Sequence, residues 1–229
     1  MDFVVPAPAV PAVPVEGGGE FPVRRIFCVG RNYAEHTREM GHDPDREDPF
    51  FFTKPADAIV LDGATIPYPS MTASLHHEIE LVAAIGKGGH DIPEAEALHH
   101  LFGYAVGVDL TRRDLQNEAK KLGRPWDMAK GFDHSAPIGP LTRADATWPL
   151  DRGAIWLRIN GETRQSSDVS KLIWSTPEVI AYLSRYVALA PGDLIYTGTP
   201  EGVGRIEPGD DLWGHIDGLH DLRIHLAGR

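Results

Sequence analysis

The chain has 229 residues, of which 42% are hydrophobic and 24% charged, a composition typical of a globular protein with one or at most two cores. Its formal net charge of -11, with no block of lysine and arginine, argues against nucleic-acid binding. No apolar run of transmembrane length and no charged leader is found, so we expect neither a membrane span nor a signal peptide. The single cysteine, Cys28, lies in an apolar run and predicts a buried free thiol in a reducing cytoplasm.

The N-terminal residues 1–22 form a segment dense in proline, alanine, valine and glycine, which excludes a helix. Such a segment is either a loosely held terminal arm or an edge strand laid on the body of the protein, and both alternatives stay open. In residues 23–229, strands and short helices alternate without a regular β-α-β repeat. We therefore predict an α+β fold in which one domain carries a mixed, mostly antiparallel sheet system.

The first elements after the arm are a buried strand and a short helix, predicted for VRRIFCVG and NYAEHTREMG. The polar loop that follows, HDPDREDP, has no apolar anchor and suits a mobile flap. A strand interrupted by a proline is then predicted for FFFTKPADAIV, and a helix that runs into an apolar strand for PEAEALHHLFGYAVGVDL.

The second half of the chain begins with a predicted helix of about three turns, TRRDLQNEAKKLG, whose last residue is a glycine. A hairpin is expected to turn at Asn160-Gly161. An amphipathic helix capped by Ser175 or Thr176 follows, and the remaining segments predict short strands joined by Pro-Gly and Gly turns.

Two glutamates, Glu78 and Glu80, stand in the otherwise apolar, strand-like run EIELVAAIG. Side chains two apart share a face of a strand, so both carboxylates are expected to project together, with Ile79 and Leu81 packed on the opposite face. A solvent-facing strand also tolerates such a pair. The apolar flanks, and a third acid, Asp109, at the end of another apolar strand, favour a cation between them instead. Three hard oxygen ligands suit Mg²⁺, with Mn²⁺ and Ca²⁺ as alternatives.

A second pair of polar residues, His36 and Glu39, is spaced i, i+3 on a predicted helix, so that the two side chains can touch. The pair is either a surface contact or a catalytic dyad. In a dyad, the carboxylate raises the basicity of the imidazole and orients it, which a general base for water requires.

Several further polar residues stand in unusual surroundings. Lys54 and Lys130 are embedded in apolar runs, where an anion is their expected partner, and Arg113 and Gln116 lie on the helix that follows the third acid. The glycine-rich TGTPEGVG lacks the features of a phosphate loop and predicts a tight loop whose backbone and Thr199 hydroxyl approach a ligand. The remaining histidines, which include His76, His77, His99 and His100, fit no standard zinc spacing, and a surface position is expected for most of them. At least one of His76 and His77 is expected to line or support the site, but neither is the candidate base.

Taken together, these motifs resemble the fumarylacetoacetate hydrolase family, in particular its small bacterial acylpyruvate and fumarylpyruvate hydrolases. The resemblance runs from about residue 23 to the C-terminus and rests on six stretches in this order: CVGRNYAEHTREMG, PFFFTKPADAIV, LHHEIELVAAIGKGG, GYAVGVDLTRRDLQ, GRPWDMAKGFDHSAPIGP and LIYTGTPEGVG. It implies a mixed β-roll with peripheral helices, usually a homodimer, with residues 23–229 as a single catalytic domain.

The resemblance also implies a role for each polar residue named above. It makes Glu78, Glu80 and Asp109 the ligands of Mg²⁺ or Mn²⁺ and places the dyad on a lid segment. The residues expected to face a small-molecule substrate are Lys54, Arg113, Gln116, Lys130 and Thr199.

The activity implied by the resemblance is hydrolysis of a C–C bond in a 2,4-dioxo acid such as fumarylpyruvate, to pyruvate and a carboxylic acid. His36, oriented by Glu39, would activate water, Lys130 and Gln116 would stabilise the oxyanion, and the metal would neutralise the departing enolate. The enzymatic alternatives use the same metal and enolate: oxaloacetate decarboxylation, oxaloacetate tautomerisation or isomerisation of a dienoate. The non-enzymatic alternative is a metal-stabilised binding module.

Overall fold

The computed structural model describes residues 3–39, 47–144 and 149–228, with the backbone alone for residues 37–39. The α-helices in these ranges are α1 (Ala34–Glu39), α2 (Arg113–Leu122), α3 (Asp127–Lys130) and α4 (Thr176–Tyr186). Short 3-10 helices cover Ala56–Ala58, Glu94–His100 and Val169–Lys171. In the described part of the chain, no helix combines the length and the apolar character needed to cross a membrane.

Eighteen short strands make up most of the regular structure of the described ranges. They are β1 (Ala12–Pro14), β2 (Glu20–Pro22), β3 (Arg25–Gly30), β4 (Phe50–Lys54), β5 (Ile59–Leu61), β6 (Thr65–Ile66), β7 (Leu75–His77), β8 (Ile79–Ile85), β9 (Leu101–Val108), β10 (Thr111–Arg112), β11 (Ala136–Ile138), β12 (Thr142–Arg143), β13 (Ala154–Ile159), β14 (Glu162–Asp168), β15 (Asp193–Tyr196), β16 (Gly204–Ile206), β17 (Asp211–Ile216) and β18 (Leu222–Leu226).

These strands form four sheets. The largest has eight strands, in the order β4-β3-β15-β8-β9-β11-β5 with β12 beside β9, and a five-stranded sheet has the order β14-β13-β17-β18-β6. The smaller sheets are β10-β7-β16 and β1-β2. Neighbouring strands are antiparallel except in the pairs β3-β15, β5-β11 and β6-β18. The predicted α+β fold with a mixed, mostly antiparallel sheet system is confirmed.

The eight-stranded sheet is buried on both faces, which positions the charged residues described below. Along β8, Leu81 and Ala83 face a core shared with the five-stranded sheet and α4, whereas Val82 and Ala84 face a second core. Burial on both faces explains why the sequence of this strand is a continuous apolar run without alternation.

The N-terminal arm covers the second core. Strands β1 and β2 form a hairpin that buries Val13 and Phe21 there, and Gly17, Gly18 and Gly19 adopt positive φ at its turn. Residues 3–10 are exposed. Both alternatives left open for the arm therefore apply to part of it: its second half forms strands on the body, and residues 3–10 form none.

Most local predictions are confirmed, including the hairpin turn at Asn160-Gly161, which has φ of 51° and 84°, and Cys28 as a buried free thiol. The helix predicted before β9 is a 3-10 helix. His100, at its end, is 9% exposed and its ring bonds the Lys87 carbonyl, so the surface position expected for it is wrong. The predicted flap lies mostly outside the described residues.

Candidate active site

Glu78 and Asp109 face each other where two antiparallel strands leave the large sheet. In the pair β8-β9, Ile79 lies opposite Val108, and the same register continues beyond Glu78 in the pair β7-β10. At the junction, the Asp109 N–H donates a hydrogen bond to the Glu78 carbonyl at 2.8 Å. The single strand predicted here is therefore interrupted at Glu78, because the chain passes there from the eight-stranded to the three-stranded sheet.

The three acids predicted as metal ligands converge at this junction. One oxygen each from Glu78, Glu80 and Asp109 can be chosen so that all lie within 4.8 Å of one another. The residues are 6%, 2% and 0% exposed, respectively. Ile79 and Leu81 are fully buried in the core on the opposite face, as the strand periodicity predicts. Three buried carboxylates this close repel one another unless positive charge compensates them.

Lys130 and Arg113 supply part of that charge to Glu78. The Lys130 Nζ lies 2.8 Å from Glu78 Oε2 and 2.5 Å from Asp109 Oδ2, and the Arg113 guanidinium contacts the other Glu78 oxygen. Burial alone would raise the pKa of Glu78, but Lys130 and Arg113 hold this pKa below its ordinary value. Burial alone would likewise lower the pKa of Lys130, which Asp109 and Glu78 raise. Both groups are therefore ionised.

Lys54 approaches the second oxygen of Asp109. Its Nζ lies 2.7 Å from Asp109 Oδ1, yet its hydrogen bonds go to the carbonyls of Leu110, at 3.2 Å, and of Lys130. Among the residues that the structure describes, no donor forms a hydrogen bond with this Asp109 oxygen. Asp109 Oδ1 is therefore paired with the charge of Lys54 but has no hydrogen bond from these residues, which leaves it able to act as a ligand.

Glu80 is the acid of the three whose surroundings favour protonation. It accepts a hydrogen bond of 2.8 Å from the Gly198 N–H. Gly198 has φ of 102°, and a Cβ there would lie 2.7 Å from the Asn32 Cβ, so this donor position requires glycine. Burial, followed by the charges of Asp109 and Glu78, raises the pKa of Glu80 well above its ordinary value. A nearby cation would have the opposite effect.

These features fit a divalent metal ion held by the three acids. The donors are all carboxylate oxygens, which suits Mg²⁺ or Mn²⁺ and does not suit Zn²⁺ as well. A divalent ion would also compensate the charge of Glu80, whose ionisation Asp109 and Glu78 oppose. The chemistry of the donor set therefore agrees with the predicted cofactor.

Two of the acids, Glu78 and Glu80, line a cavity of about 430 Å³, including the space at its mouth. His36, on α1, lines it and is buried. Glu39 is the last residue of α1, and its side chain is outside the described part of the structure, so its pairing with His36 stays a prediction. Lys54 and Asp109 lie fully buried behind the wall. The predicted residues that line the cavity are His36, Glu78, Glu80, Arg113, Gln116, Lys130 and Thr199.

Thr199 is hydrogen-bonded by Gln165, a residue that the sequence analysis did not identify. The Gln165 Nε2 donates to Thr199 Oγ1 at 2.8 Å, and its Oε1 accepts from the Ile79 N–H at 3.0 Å and lies 2.9 Å from His77 Nδ1. His77 is buried and supports the site through Gln165, in agreement with the expectation that at least one of His76 and His77 lines or supports it. Burial is the first cause that lowers the pKa of His77, and the ring is therefore neutral.

Further lining residues were missed at the mouth of the cavity, namely Arg31, Phe50, Lys120 and Trp126. Arg31 has φ of 57°, a left-handed conformation that is uncommon for a residue with a side chain and recurs at functional sites. At the preceding Gly30, a Cβ would lie 2.0 Å from the Phe50 ring, so only glycine lets this ring close over the strand. Lys120 could have been predicted from the sequence, because it lies seven residues after Arg113 on the same helix face.

Comparisons with known proteins agree with this geometry. The family described as Fumarylacetoacetate (FAA) hydrolase C-terminal matches residues 25–227. The crystal structure of fumarylpyruvate hydrolase from Pseudomonas aeruginosa, in complex with Mn²⁺ and pyruvate, is 52% identical, covers 100% of both chains and superposes with a TM-score of 0.96.

Two curated relatives extend the comparison. Fumarylpyruvate hydrolase from a Ralstonia species is 46% identical over 190 residues, 82% of this chain and 98% of that protein. The mitochondrial oxaloacetate tautomerase FAHD1 of Mus musculus is 42% identical over 203 residues, 89% of this chain and 91% of that protein. By sequence, fold and the acids gathered at its cavity, this chain belongs to the fumarylacetoacetate hydrolase family.

Proposed function

We propose that this protein is a divalent-metal-dependent hydrolase that cleaves the C–C bond of a 2,4-dioxo acid, such as fumarylpyruvate, to pyruvate and a carboxylic acid. The observation that carries the proposal is the convergence of three buried carboxylates, two of which line one cavity with His36 and several cations. The similar Pseudomonas aeruginosa enzyme, crystallised with Mn²⁺ and pyruvate, supports both the metal and the product.

In the proposed reaction, His36 accepts a proton from water, and the water oxygen adds to the C4 carbonyl carbon of the substrate. The C3–C4 bond then breaks, its electron pair goes to C3, and a proton returned to C3 completes pyruvate. Glu39 orients His36. The base has a solvent-shielded position, since His36 is buried in the wall of the cavity.

The cations and amide of the cavity would stabilise negative charge during this reaction. Lys130 is ionised and its three N–H groups donate to Glu78, Asp109 and Thr111, so it would stabilise an oxyanion through its charge, whereas Gln116 would donate a hydrogen bond. Arg113, Lys54 and Thr199 would hold the substrate or the groups that bind it. When bound by the three acids, a divalent ion supplies Lewis-acid stabilisation of the charge that develops on oxygen.

A second candidate activity is tautomerisation of oxaloacetate, with decarboxylation as its variant. The observation that favours it is the 42% identity with the mouse oxaloacetate tautomerase over 203 residues. This activity needs proton transfer at the carbon beside a carbonyl and no nucleophilic water, so it would use the same acids and cations.

The two activities separate in an ultraviolet assay of fumarylpyruvate, acetylpyruvate and oxaloacetate, with Mg²⁺ or Mn²⁺ and with a chelator. We expect metal-dependent release of pyruvate from the dioxo acids, and a fall in kcat of about 10²- to 10⁴-fold in His36→Gln. His90→Gln, at an exposed histidine, is the matched control. Pyruvate release that survives chelation would contradict the metal, and normal turnover by His36→Gln would contradict the base.

The family also leads us to propose that residues 23–229 act as one catalytic domain and that the chain forms a homodimer. Sedimentation velocity of the purified protein would test the dimer, and a monomer at micromolar concentration would exclude it.

A further inference from the structure

Lys120 stands at the end of the cavity away from the three acids and differs from the other lysines there. Lys54 and Lys130 contact carboxylates, whereas the Lys120 ammonium lies 5.2 Å from the centre of the Trp126 ring. In the described part of the chain, no carboxylate forms a salt bridge with Lys120. Burial, followed by the charges of Arg113 and Arg31, lowers the pKa of Lys120 to about 8. An anion brought next to Lys120 would relieve this unfavourable environment.

Helix α2 sets the separation between Lys120 and the acids. Arg113, Gln116 and Lys120 follow each other at i, i+3 and i+7, so all three lie on the face of α2 that lines the cavity. Arg113, at the start of the helix, contacts Glu78. Lys120 is seven residues further along, which places its backbone about 10 Å along the axis from that of Arg113. A ligand that spans both ends is therefore an elongated one.

Aromatic rings form one wall of the cavity. Trp126 packs against Phe50 and Phe52 with ring centres 5.5 Å and 5.9 Å apart, and all three rings line the cavity. Flat aromatic walls accept an unsaturated hydrocarbon segment and disfavour an anionic group. The cavity is thus polar at the acids, apolar along the rings and cationic at Lys120.

The charge of the cavity also favours an anionic ligand with more than one negative group. The three acids are outnumbered by the cations that line or adjoin the cavity, which are Arg31, Lys54, Arg113, Lys120 and Lys130. A divalent metal would increase this positive excess further. A ligand with a single carboxylate at the metal end would leave Lys120 uncompensated.

We propose that Lys120 binds a second carboxylate, at the far end of the acyl group, and thereby selects dicarboxylic dioxo acids over those with a neutral acyl group. This inference rests on the proposed function, because it places the 2-oxo acid at the three acids. It deepens that function by naming the acyl end that the site prefers, and fumaryl is the simplest group with the required flat chain and terminal carboxylate.

The test compares fumarylpyruvate with acetylpyruvate in Lys120→Gln, Lys120→Arg and the wild type. We expect Lys120→Gln to lower the ratio of kcat/KM for fumarylpyruvate to that for acetylpyruvate by about 10- to 100-fold, mainly through KM, since one charged hydrogen bond is lost. Lys120→Arg keeps the charge and is expected to recover most of the preference. Lys121→Gln removes an exposed lysine next to it on α2 and is the matched control.

A binding experiment without turnover separates this inference from the proposed hydrolysis. Fumarate and crotonate have the same carbon chain, but crotonate lacks one carboxylate, and we expect fumarate to raise the Tm of the wild type more than that of Lys120→Gln. If the wild type cleaves neither dioxo acid, the hydrolysis is wrong, while the fumarate titration still decides the carboxylate site. Equal changes for both substrates in Lys120→Gln, or equal Tm shifts by fumarate in both proteins, would overturn the role of Lys120.

Discussion

Acids, cations and aromatic rings cluster in two regions of the protein. The two regions differ in the burial of their carboxylates and in the hydrogen bonds that these carboxylates accept. On the outer face of the five-stranded sheet, His215 lies 2.6 Å from Asp221 through Nδ1 and 3.2 Å from Asp217 through Nε2. The other Asp221 oxygen accepts a hydrogen bond of 2.7 Å from the Trp213 indole, and the His215 ring stacks on Trp156. Each oxygen of Asp221 thus has a donor, and its neighbours are half exposed to water.

At the cavity, by contrast, the acids are buried, and Asp109 Oδ1 pairs with the charge of Lys54 but accepts no hydrogen bond from the described residues. The two regions also differ in how their acids affect a titrating neighbour. At His215, burial opposes ionisation, and the bonds to Asp221 and Asp217 raise the pKa because they favour a positive charge. At Glu80, the acids raise the pKa because they disfavour a negative one. In a structural cluster, the charges and hydrogen-bond acceptors have partners within the protein. A binding site is recognised by charges and acceptors that have no such partner.

The largest expected effect on stability is that of Asp109→Ala, which tests whether the two regions differ. The substitution leaves Lys54 and Lys130 without the acid between them, so we expect the free energy of unfolding in urea to fall by about 3–5 kcal/mol. Asp221→Ala, on the outer face, is the counterpart and should cost about 1 kcal/mol, because its partners can turn to water. Equal losses would mean that the two regions do not differ in the way described.

An intermediate effect is expected from metal binding. Mg²⁺ or Mn²⁺ at one hundred times its Kd should stabilise the wild type by about 2.7 kcal/mol, measured as a rise in Tm. Glu80→Gln should remove this rise, while the metal-free variant unfolds at the same Tm or a higher one, because an amide ends the repulsion by Glu78 and Asp109. Glu118→Gln, at an exposed position of α2, is the control and should respond to metal like the wild type.

The smallest effect concerns His215, whose pKa in the folded protein is above the ordinary value of 6.5. A raised histidine pKa adds stability that is complete below the unfolded pKa and is lost as the pH rises through the folded pKa. His215→Gln should therefore lower the free energy of unfolding by about 1 kcal/mol at pH 5.5 and leave it unchanged at pH 9. Urea titrations at both pH values check this, and a deficit that grows with pH would contradict it.

The acids could be predicted from the sequence because their spacing is local. A period of two residues puts Glu78 and Glu80 on one face of a strand, and an acid at the end of an apolar strand is exceptional wherever it occurs. The interruption of the strand at Glu78 did not spoil this prediction, since the register on both sides of the bend is the same. The helical period also predicts that Lys120 shares a face with Arg113. The residues around Lys120 could not be predicted, because they come together only in the folded cavity.

Gln165 shows what the sequence does not reveal. It is the buried member of β14, whose other residues are exposed or half-buried, and the pairing of β13 with β14 shifts register between Leu157 and Arg158. A register shift depends on two strands and on the packing below them, so the sequence of either strand alone does not predict it. The partner of His77 could not be predicted for the same reason, because Gln165 is 88 residues away in the chain.

The pairs β8-β9 and β7-β10 share one register on both sides of the bend, and the position of the acids depends on this register. A slip of one residue in the pairing of β8 with β9 would turn Glu80 toward the opposite core and remove Asp109 from its place opposite Glu78. Such a chain would keep its sheet but have no ligand set. If the three acids hold a metal ion as proposed, molecules with slipped strands would bind none at this site, so metal stoichiometry would report strand alignment that circular dichroism does not detect.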